Sequence, residues 1–177
     1  MKKALVVVDY QNDFVDGALG FEDAEKIAGN IYALVEKAKE ENDFIVFTKD
    51  THYENYLETR EGKFLPVPHC IKGSEGHGLF GKLAEYENDK EVTVVEKNTF
   101  GSVDLPEVLK NKFGGAPDVI EFCGVVTNIC VISNVIICMS HFTDAEIIVH
   151  ADATAALGDM QLHAIEILKG LGVKVVE

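Results

Sequence analysis

Three residues that lie far apart in the sequence could together activate a nucleophile: Asp9, Lys97 and Cys130. A cysteine thiolate attacks carbonyl carbons, a carboxylate can accept the thiol proton, and an ammonium stabilises both anions. Cys130 follows Gly124, which ends an apolar run, and Thr127, which could cap the helix that begins there. In the first turn of a helix, unpaired backbone N–H groups and the helix dipole favour a thiolate and could hold an oxyanion.

Each of these residues also has a purely structural interpretation. Cys130 could be a small buried residue of an apolar helix, and Asp9 could stabilise a turn. Lys97 could simply reach solvent from the end of a strand. Residue type alone therefore leaves the catalytic and the structural interpretations open.

A second group of polar side chains lies in the segment 49–78 and could bind a metal ion. The candidate ligands are Asp50, His52, Glu61 and His69. Carboxylate oxygens and imidazole nitrogens suit zinc, and also manganese or iron. Because the spacing of the four is irregular, a polar loop with scattered histidines remains the alternative.

Hydrophobic patterning predicts the elements that would position these side chains. Apolar runs rich in β-branched residues predict strands at 4–8, 44–48, 92–96, 119–123, 146–149 and 173–176. Helical periodicity predicts helices at 23–39, 105–112 (with Asp104 as cap), 127–141 and 159–169. The segment 49–78 has weak periodicity and predicts a long functional loop with short helical turns.

The alternation of strands and helices predicts an α/β three-layer sandwich, in which helices cover both faces of a six-stranded, mainly parallel sheet. In such folds the site lies beyond the carboxyl ends of the strands. Asp9 ends the first strand, Asp50 and His52 follow the second, Lys97 follows the third, and Cys130 lies just past the fourth. All five residues are therefore expected at one edge of the sheet.

Composition limits the class of protein. The 177 residues, 47% of them hydrophobic, predict a single domain spanning residues 1–177. A net charge of -14 disfavours a nucleic-acid partner, and no apolar run is long enough for a bilayer. The four cysteines form no C-x-x-C pair, which disfavours a disulfide framework. We expect a cytoplasmic protein.

The segments around the candidate residues resemble motifs of the isochorismatase-like cysteine hydrolases, and within them the nicotinamidases. Residues 9–14, DYQNDF, are similar to the D-x-Q-x-D-F opening of that family. Residues 97–102, KNTFGS, resemble its lysine segment, and residues 124–131, GVVTNICV, resemble its G-V-x-T-x-x-C-V nucleophile turn. The resemblance covers essentially the whole chain, and the three motifs occur in the same order.

The resemblance implies a triad of Cys130, Asp9 and Lys97. It also implies a cis peptide bond between Val125 and Val126. The oxyanion hole would consist of the backbone N–H groups of Val126 and Cys130.

The resemblance implies a metal ion, usually zinc, on Asp50, His52 and His69, with Glu61 as a fourth ligand. In nicotinamidases this metal binds the pyridine nitrogen, which orients the amide towards the cysteine. The implied reaction is hydrolysis of a small carboxamide through a thioester, with nicotinamide as the favoured substrate. The alternatives are another small amide, an N-carbamoyl compound, or a vinyl ether such as isochorismate. Relatives are often dimers or tetramers, so we expect a homo-oligomer.

The sequence departs from the family pattern at three positions. Asn128 stands where many members of the family have aspartate, and Thr51 stands in place of the tryptophan of a frequent D-W-H pattern. Tyr56 lies near the position at which many members have another histidine. Because the chain has no tryptophan, Phe14 and Phe100 are the candidate walls of the substrate pocket.

Overall fold

A computed structural model describes all residues, 1–177, and its centre is a six-stranded sheet. The strands are β1 (Lys3–Val8), β2 (Phe44–Asp50), β3 (Val92–Lys97), β4 (Val119–Val125), β5 (Glu146–Ala155) and β6 (Lys174–Val176). Every neighbouring pair is parallel, in the order β3-β2-β1-β4-β5-β6. The central strands β1, β2 and β4 are almost entirely buried, which is why their sequences are continuous apolar runs. The predicted six-stranded parallel sheet is confirmed.

Seven α-helices connect the strands. They are α1 (Asn12–Val15), α2 (Glu22–Lys26), α3 (Ala28–Glu40), α4 (Arg60–Phe64), α5 (Leu105–Phe113), α6 (Ile132–His141) and α7 (Met160–Gly170). Short 3-10 segments occur at Tyr56–Glu58, Glu75–His77 and Gly81–Asn88, and a π-helical turn spans Thr127–Val131. The segment 49–78 contains only short helical turns after the end of β2, as its weak periodicity predicts.

The two faces of the sheet carry two separate hydrophobic clusters. Leu5 and Val7 of β1 face the cluster that contains residues of α2 and α3. Val6 and Val8 face the opposite cluster, which contains residues of α5, α6 and α7. Since alternate residues of a strand point to opposite faces, helices cover both sides of the sheet. The predicted three-layer sandwich is confirmed.

The structure differs from the predicted helices at two points. The predicted helix 23–39 is two helices joined at Ile27, although the buried stripe continues across the joint through Ala24 and Ile31. Asp104 makes no capping hydrogen bond, because its backbone is already helical (φ −86°, ψ −20°). The hydroxyl of Ser102 instead accepts a hydrogen bond from the N–H of Leu105 at 3.2 Å.

The strand order reverses between β1 and β4. The chain builds β1, β2 and β3 outward in one direction and then crosses to place β4 on the other side of β1. In open parallel sheets, such a reversal opens a crevice at the carboxyl ends of the two strands. The residues that follow β1 and β4 therefore border this crevice. The longest helix has 13 residues, and none is long and apolar enough to cross a bilayer.

Candidate active site

An ammonium, a carboxylate and a thiol meet at the carboxyl edge of the sheet. Asp9 follows β1, Lys97 ends β3, and Cys130 lies in the π-helical turn after β4. The Nζ of Lys97 is 2.6 Å from Oδ2 of Asp9, and both charges are close enough to change the pKa of the Cys130 thiol. All three residues are buried, with exposed fractions of 0%, 7% and 4% for Asp9, Lys97 and Cys130. The structure thus brings together the three residues that the sequence predicted to meet.

The Asp9 carboxylate is held by the neighbouring strand. The hydroxyl of Thr48 in β2 donates a hydrogen bond to Oδ1 of Asp9 at 2.7 Å, and the Asp9 N–H donates to the Thr48 carbonyl at 3.1 Å. The backbone of Asp9 is left-handed (φ +46°), a conformation that aspartate tolerates better than most residues. Sequence analysis missed Thr48, although a hydroxyl at the end of a fully buried strand was the available signal.

Lys97 is protonated in this arrangement. Burial by itself would lower the pKa of Lys97, but the charges of Asp9, Cys130 and Asp50 and the hydrogen bond to Asp9 together outweigh burial and hold that pKa well above its usual range. The ammonium also donates a hydrogen bond to the carbonyl of Thr99 at 2.9 Å, and it lies 3.7 Å from Oδ1 of Asp50. Burial raises the pKa of Asp9, and the charge of Lys97 opposes that rise. The pair therefore supplies a buried carboxylate with a neutralising partner.

The turn that carries Cys130 has an unusual backbone. Gly124 has φ +110°, and a Cβ at this position would lie 2.1 Å from the carbonyl oxygen of Val8 in β1, so only glycine fits. The next peptide bond, between Val125 and Val126, is cis, as the family resemblance implied. The predicted cap by Thr127 is not formed. The hydroxyl of Thr127 instead donates a hydrogen bond to Oε1 of Gln161 in α7 at 2.7 Å.

The surroundings of the Cys130 thiol act against the thiolate that its position at a helix start favours. Burial, together with the charges of Asp9 and Asp50, raises the pKa of Cys130 well above its usual range. Lys97 acts in the opposite direction but does not compensate. Burial first, and then the two carboxylates, thus outweigh both Lys97 and the favourable position of the cysteine at a helix start. Ionisation of this thiol requires a base.

Backbone N–H groups near the thiol could receive a negatively charged oxygen. The carbonyl of Val126 accepts hydrogen bonds from the N–H groups of Ile129 and Val131, at 3.0 and 3.2 Å. The N–H of Val126 itself donates to no other group of the protein. It therefore keeps a free donor in the turn that carries the nucleophile.

A cavity of about 340 Å³ borders the segment of residues 51–61, and a second cavity of about 310 Å³ reaches Cys130. The second is mostly apolar, and Phe14 and Phe100 both line it. Its polar lining includes Asp50, Glu61 and His69. One cavity therefore joins the thiol to three of the four predicted metal ligands, with the two predicted aromatic walls beside them.

The four predicted metal ligands form one cluster. Each of Asp50, His52, Glu61 and His69 offers a ligand atom, and these atoms all lie within 4.8 Å of one another. Oδ2 of Asp50 is 2.9 Å from Nε2 of His52 and 3.3 Å from Nε2 of His69. Oε1 of Glu61 is 3.5 and 3.7 Å from the same two nitrogens.

These distances fit a divalent metal ion. Two ligand atoms ~2.1 Å from a tetrahedral zinc ion lie about 3.4 Å apart, close to the separations found here. Nδ1 of His69 is 2.8 Å from the carbonyl of Val67, which fixes the ring so that Nε2 points into the cluster. Such a donor set can hold a divalent cation.

Two residues that sequence analysis gave no role support this cluster. The side-chain amide of Gln11 brackets the backbone of Asp50: its Oε1 accepts from the Asp50 N–H at 2.7 Å, and its Nε2 donates to the Asp50 carbonyl at 2.9 Å. The ring of Tyr56 packs 4.6 Å from His52, while its hydroxyl donates to the Leu65 carbonyl. Tyr56 therefore supports the histidine and does not replace a ligand.

The fold and this site define an α/β cysteine hydrolase. A family model described as the isochorismatase domain matches residues 3–177. An uncharacterized isochorismatase family protein PncA of Bacillus subtilis (strain 168) is 34% identical over 88% of this chain and 87% of its own. The pyrazinamidase/nicotinamidase of Streptococcus mutans superposes with a TM-score of 0.87 at 32% identity, covering 98% of this chain and 99% of the other. The structure of the pyrazinamidase of Pyrococcus horikoshii in complex with zinc superposes with a TM-score of 0.83 at 27% identity, covering 100% of this chain and 99% of the other.

The chain belongs to the isochorismatase family. The match of the family model spans nearly the full sequence, and the similar structures cover the fold from end to end. The resemblance found in the three sequence motifs is therefore confirmed.

Proposed function

We propose that this protein hydrolyses nicotinamide to nicotinate and ammonia, with Cys130 as the nucleophile. The observation that carries the proposal is the buried Lys97–Asp9 pair beside the Cys130 thiol, which lines an apolar cavity. A cavity of about 310 Å³ is at the lower end of the size range of small-molecule sites, which suits a single aromatic ring with an amide. Similar structures are named nicotinamidases and pyrazinamidases, which favours an amide over a vinyl ether.

The first half of the reaction begins with the thiol of Cys130. Asp9 accepts the thiol proton, and the thiolate attacks the amide carbon of the substrate. The N–H groups of Val126 and Cys130 receive the negative charge on the amide oxygen. Asp9 then returns the proton to the nitrogen, the C–N bond breaks, and ammonia leaves.

The second half of the reaction releases the acid. A thioester on Cys130 remains after ammonia has left, and a water molecule attacks it with Asp9 as base. The C–S bond breaks, nicotinate leaves, and the thiol regains its proton. Lys97 remains charged throughout, so that it stabilises Asp9 when Asp9 is a carboxylate and Cys130 when it is a thiolate.

We propose further that Asp50, His52, Glu61 and His69 hold zinc. A bound divalent ion would supply a Lewis-acidic position that accepts the lone pair of a ring nitrogen. Phe14 and Phe100 would then contact the faces of the substrate ring, because both line the same cavity. Phe14 also packs against His69, with ring centroids 5.3 Å apart, so it links the aromatic wall to the ligand group.

Ammonia release tests the activity. Purified protein is assayed with nicotinamide, pyrazinamide and an N-carbamoyl amino acid, in parallel with the variants Cys130→Ala and Cys138→Ala. We expect nicotinamide to be the best substrate and Cys130→Ala to lose at least ~10³-fold in kcat, since it removes the nucleophile. Cys138→Ala is the matched control, because Cys138 is also buried but does not line the cavity that reaches Cys130.

Mass spectrometry of a quenched reaction identifies the intermediate. We expect an acyl adduct on the peptide that contains Cys130. An adduct on Cys123 or undiminished turnover by Cys130→Ala would show that the nucleophile is wrongly assigned. Faster turnover of the N-carbamoyl compound than of nicotinamide would contradict the substrate.

Elemental analysis tests the metal. We expect close to one zinc per chain in the purified protein and a large loss of zinc in His52→Ala and Glu61→Gln. His163→Ala is the control, because it removes an exposed histidine outside the cluster. Equal zinc content in all four proteins would contradict these ligands.

We also propose a homo-oligomer in the cytoplasm. The outer side of α6 exposes Ile136, and the nearby loop exposes Val103, with exposed fractions of 44% and 78%. No Asp, Glu, Lys or Arg occurs in residues 122–143, so copies of this acidic chain could approach there without like-charge repulsion. The four free cysteines suit a reducing compartment. Light scattering after size exclusion tests the assembly, and a mass of one chain at micromolar concentration would contradict it.

A further inference from the structure

Asn134 is a polar residue in the first turn of the apolar helix α6, and it is completely buried. Burying an amide without hydrogen bonds costs ~2–7 kcal/mol, whereas a leucine of similar size would fit an apolar helix at no such cost. The contacts of the Asn134 side chain therefore indicate what it contributes.

The amide of Asn134 joins two segments of the active site. Its Nδ2 donates a hydrogen bond to the carbonyl of Cys130 at 2.8 Å and a longer one to the carbonyl of Phe100 at 3.4 Å. Its Oδ1 accepts a hydrogen bond from the N–H of Ser102 at 2.9 Å. One side chain thus connects the nucleophile turn to the loop that follows Lys97.

A second contact brings the same two segments together independently of Asn134. A Cβ on Gly101 would lie 2.5 Å from Cδ1 of Ile137 and 3.1 Å from Cβ of Ser133, so the loop lies against α6 without space for a side chain. The ammonium of Lys97 is anchored in this loop by the carbonyl of Thr99. A shift of the loop relative to α6 would therefore move the ammonium relative to the thiol.

We propose that Asn134 is a positioning residue that fixes the distance between the Cys130 thiol and the Lys97–Asp9 pair. It contacts neither substrate nor reacting atoms, and it acts through the Cys130 carbonyl on one side and the backbone of Phe100 and Ser102 on the other. Because Asp9 has to reach the thiol to accept its proton, a displacement of the sulfur slows thiolate formation. This proposal rests on the function proposed above.

The test uses three variants of the full chain. Asn134→Leu removes all three hydrogen bonds. Asn134→Thr restores one of them, because a threonine hydroxyl in a helix can donate to the carbonyl four residues earlier, which here is that of Cys130. Cys138→Ala, one turn further along the same helix, is the control for loss of packing. Melting temperatures of all three show whether they fold.

We expect Asn134→Leu to lower kcat for nicotinamide ~30–100-fold, since a displacement of about 1 Å in a reacting group costs ~10²-fold. The KM should change less than threefold, because the cavity walls remain in place. Asn134→Thr should recover part of the lost kcat, and Cys138→Ala should retain the kcat of the unmodified protein. A purely structural role would instead make kcat follow the melting temperature in all three variants, and that result would overturn the proposal.

A second measurement does not depend on the substrate. The rate of Cys130 alkylation by iodoacetamide at pH 7.5, followed by peptide mass spectrometry, reports how readily Asp9 ionises the thiol. We expect this rate to fall at least fivefold in Asn134→Leu. An unchanged or faster rate would overturn the proposal, whereas the expected fall in a protein that hydrolyses no amide would support the positioning role and reject the proposed function.

Discussion

The hydrogen bond from Thr48 to Asp9 predicts a specific change in the pH dependence of the reaction. Replacing Thr48 with valine keeps the shape of the side chain and removes the hydroxyl that donates to Oδ1 at 2.7 Å. Burial already raises the pKa of Asp9, and this hydrogen bond holds the pKa down. Its loss therefore raises the pKa of Asp9 further, so the catalytic base becomes protonated at a higher pH.

The size of the pKa shift follows from the strength of a hydrogen bond to a charged group. A hydrogen bond to a charged group contributes ~1.5–3 kcal/mol, and one pKa unit corresponds to about 1.4 kcal/mol. We expect the acidic limb of kcat/KM to move upward by about 1 to 2 pH units in Thr48→Val, because that limb reports the free enzyme. The stability of the protein should fall by a similar free energy, ~1.5–3 kcal/mol.

The assay is ammonia release from nicotinamide between pH 4 and pH 9, with Thr48→Ser as the matched control. Serine keeps the hydroxyl and loses only a methyl group, so its acidic limb should stay close to that of the unmodified protein. Superimposable pH profiles for the valine and serine variants would refute the assignment of Asp9 as the base that this hydroxyl tunes.

Two further predictions concern stability. Lys3→Met should lower the free energy of unfolding by ~2 kcal/mol at pH 7, because the Lys3 ammonium lies within 3.2 Å of three carboxylates. Urea denaturation measures this change, and a loss below ~0.5 kcal/mol would contradict the prediction. One of these carboxylates is that of Glu121. Burial would raise its pKa, but hydrogen bonds from a neighbouring histidine and from Lys3 lower the pKa below its usual value. The stability lost in Lys3→Met should therefore become smaller as the pH falls below about 4.5 and the carboxylates become protonated. Gly124→Ala should lower the free energy of unfolding by more than ~3 kcal/mol, because its Cβ would overlap the Val8 carbonyl oxygen. Gly158→Ala should lower it by only ~1 kcal/mol, because Gly158 has a positive φ of +54° but open space around it. Equal melting temperatures for the two alanine variants would contradict the close approach at Gly124.

The sheet and the meeting of distant residues were predictable because they depend on local patterns. Strands buried on both faces must be continuously apolar, and parallel strands place their carboxyl ends at one edge. Asp9 follows β1 directly and Lys97 ends β3, so knowing the strands is enough to place both residues at one edge. Asp50 ends β2, the other three candidate metal ligands lie in the segment that follows it, and the structure brings all four together.

The remaining features were not predictable, since they depend on contacts between elements. The pKa of Cys130 is raised by burial and by the carboxylates of Asp9 and Asp50 from other parts of the fold, which no local pattern around the cysteine reveals. The hydroxyl of Thr127 has a partner in α7, more than thirty residues further along, and so it is not available for capping. Thr48 and Asn134 have roles only through hydrogen bonds across the fold. A polar residue within a buried apolar run is the sequence signal for such cases.

The protonated resting state of Cys130 has a consequence for oxidative damage. Peroxide oxidises thiolates far faster than thiols, and it needs access to the sulfur. The cavity that admits the substrate also gives peroxide access to Cys130, so protection has to come from the raised pKa of the thiol. The arrangement that makes this nucleophile dependent on Asp9 should thereby also slow oxidation of its sulfur between turnovers.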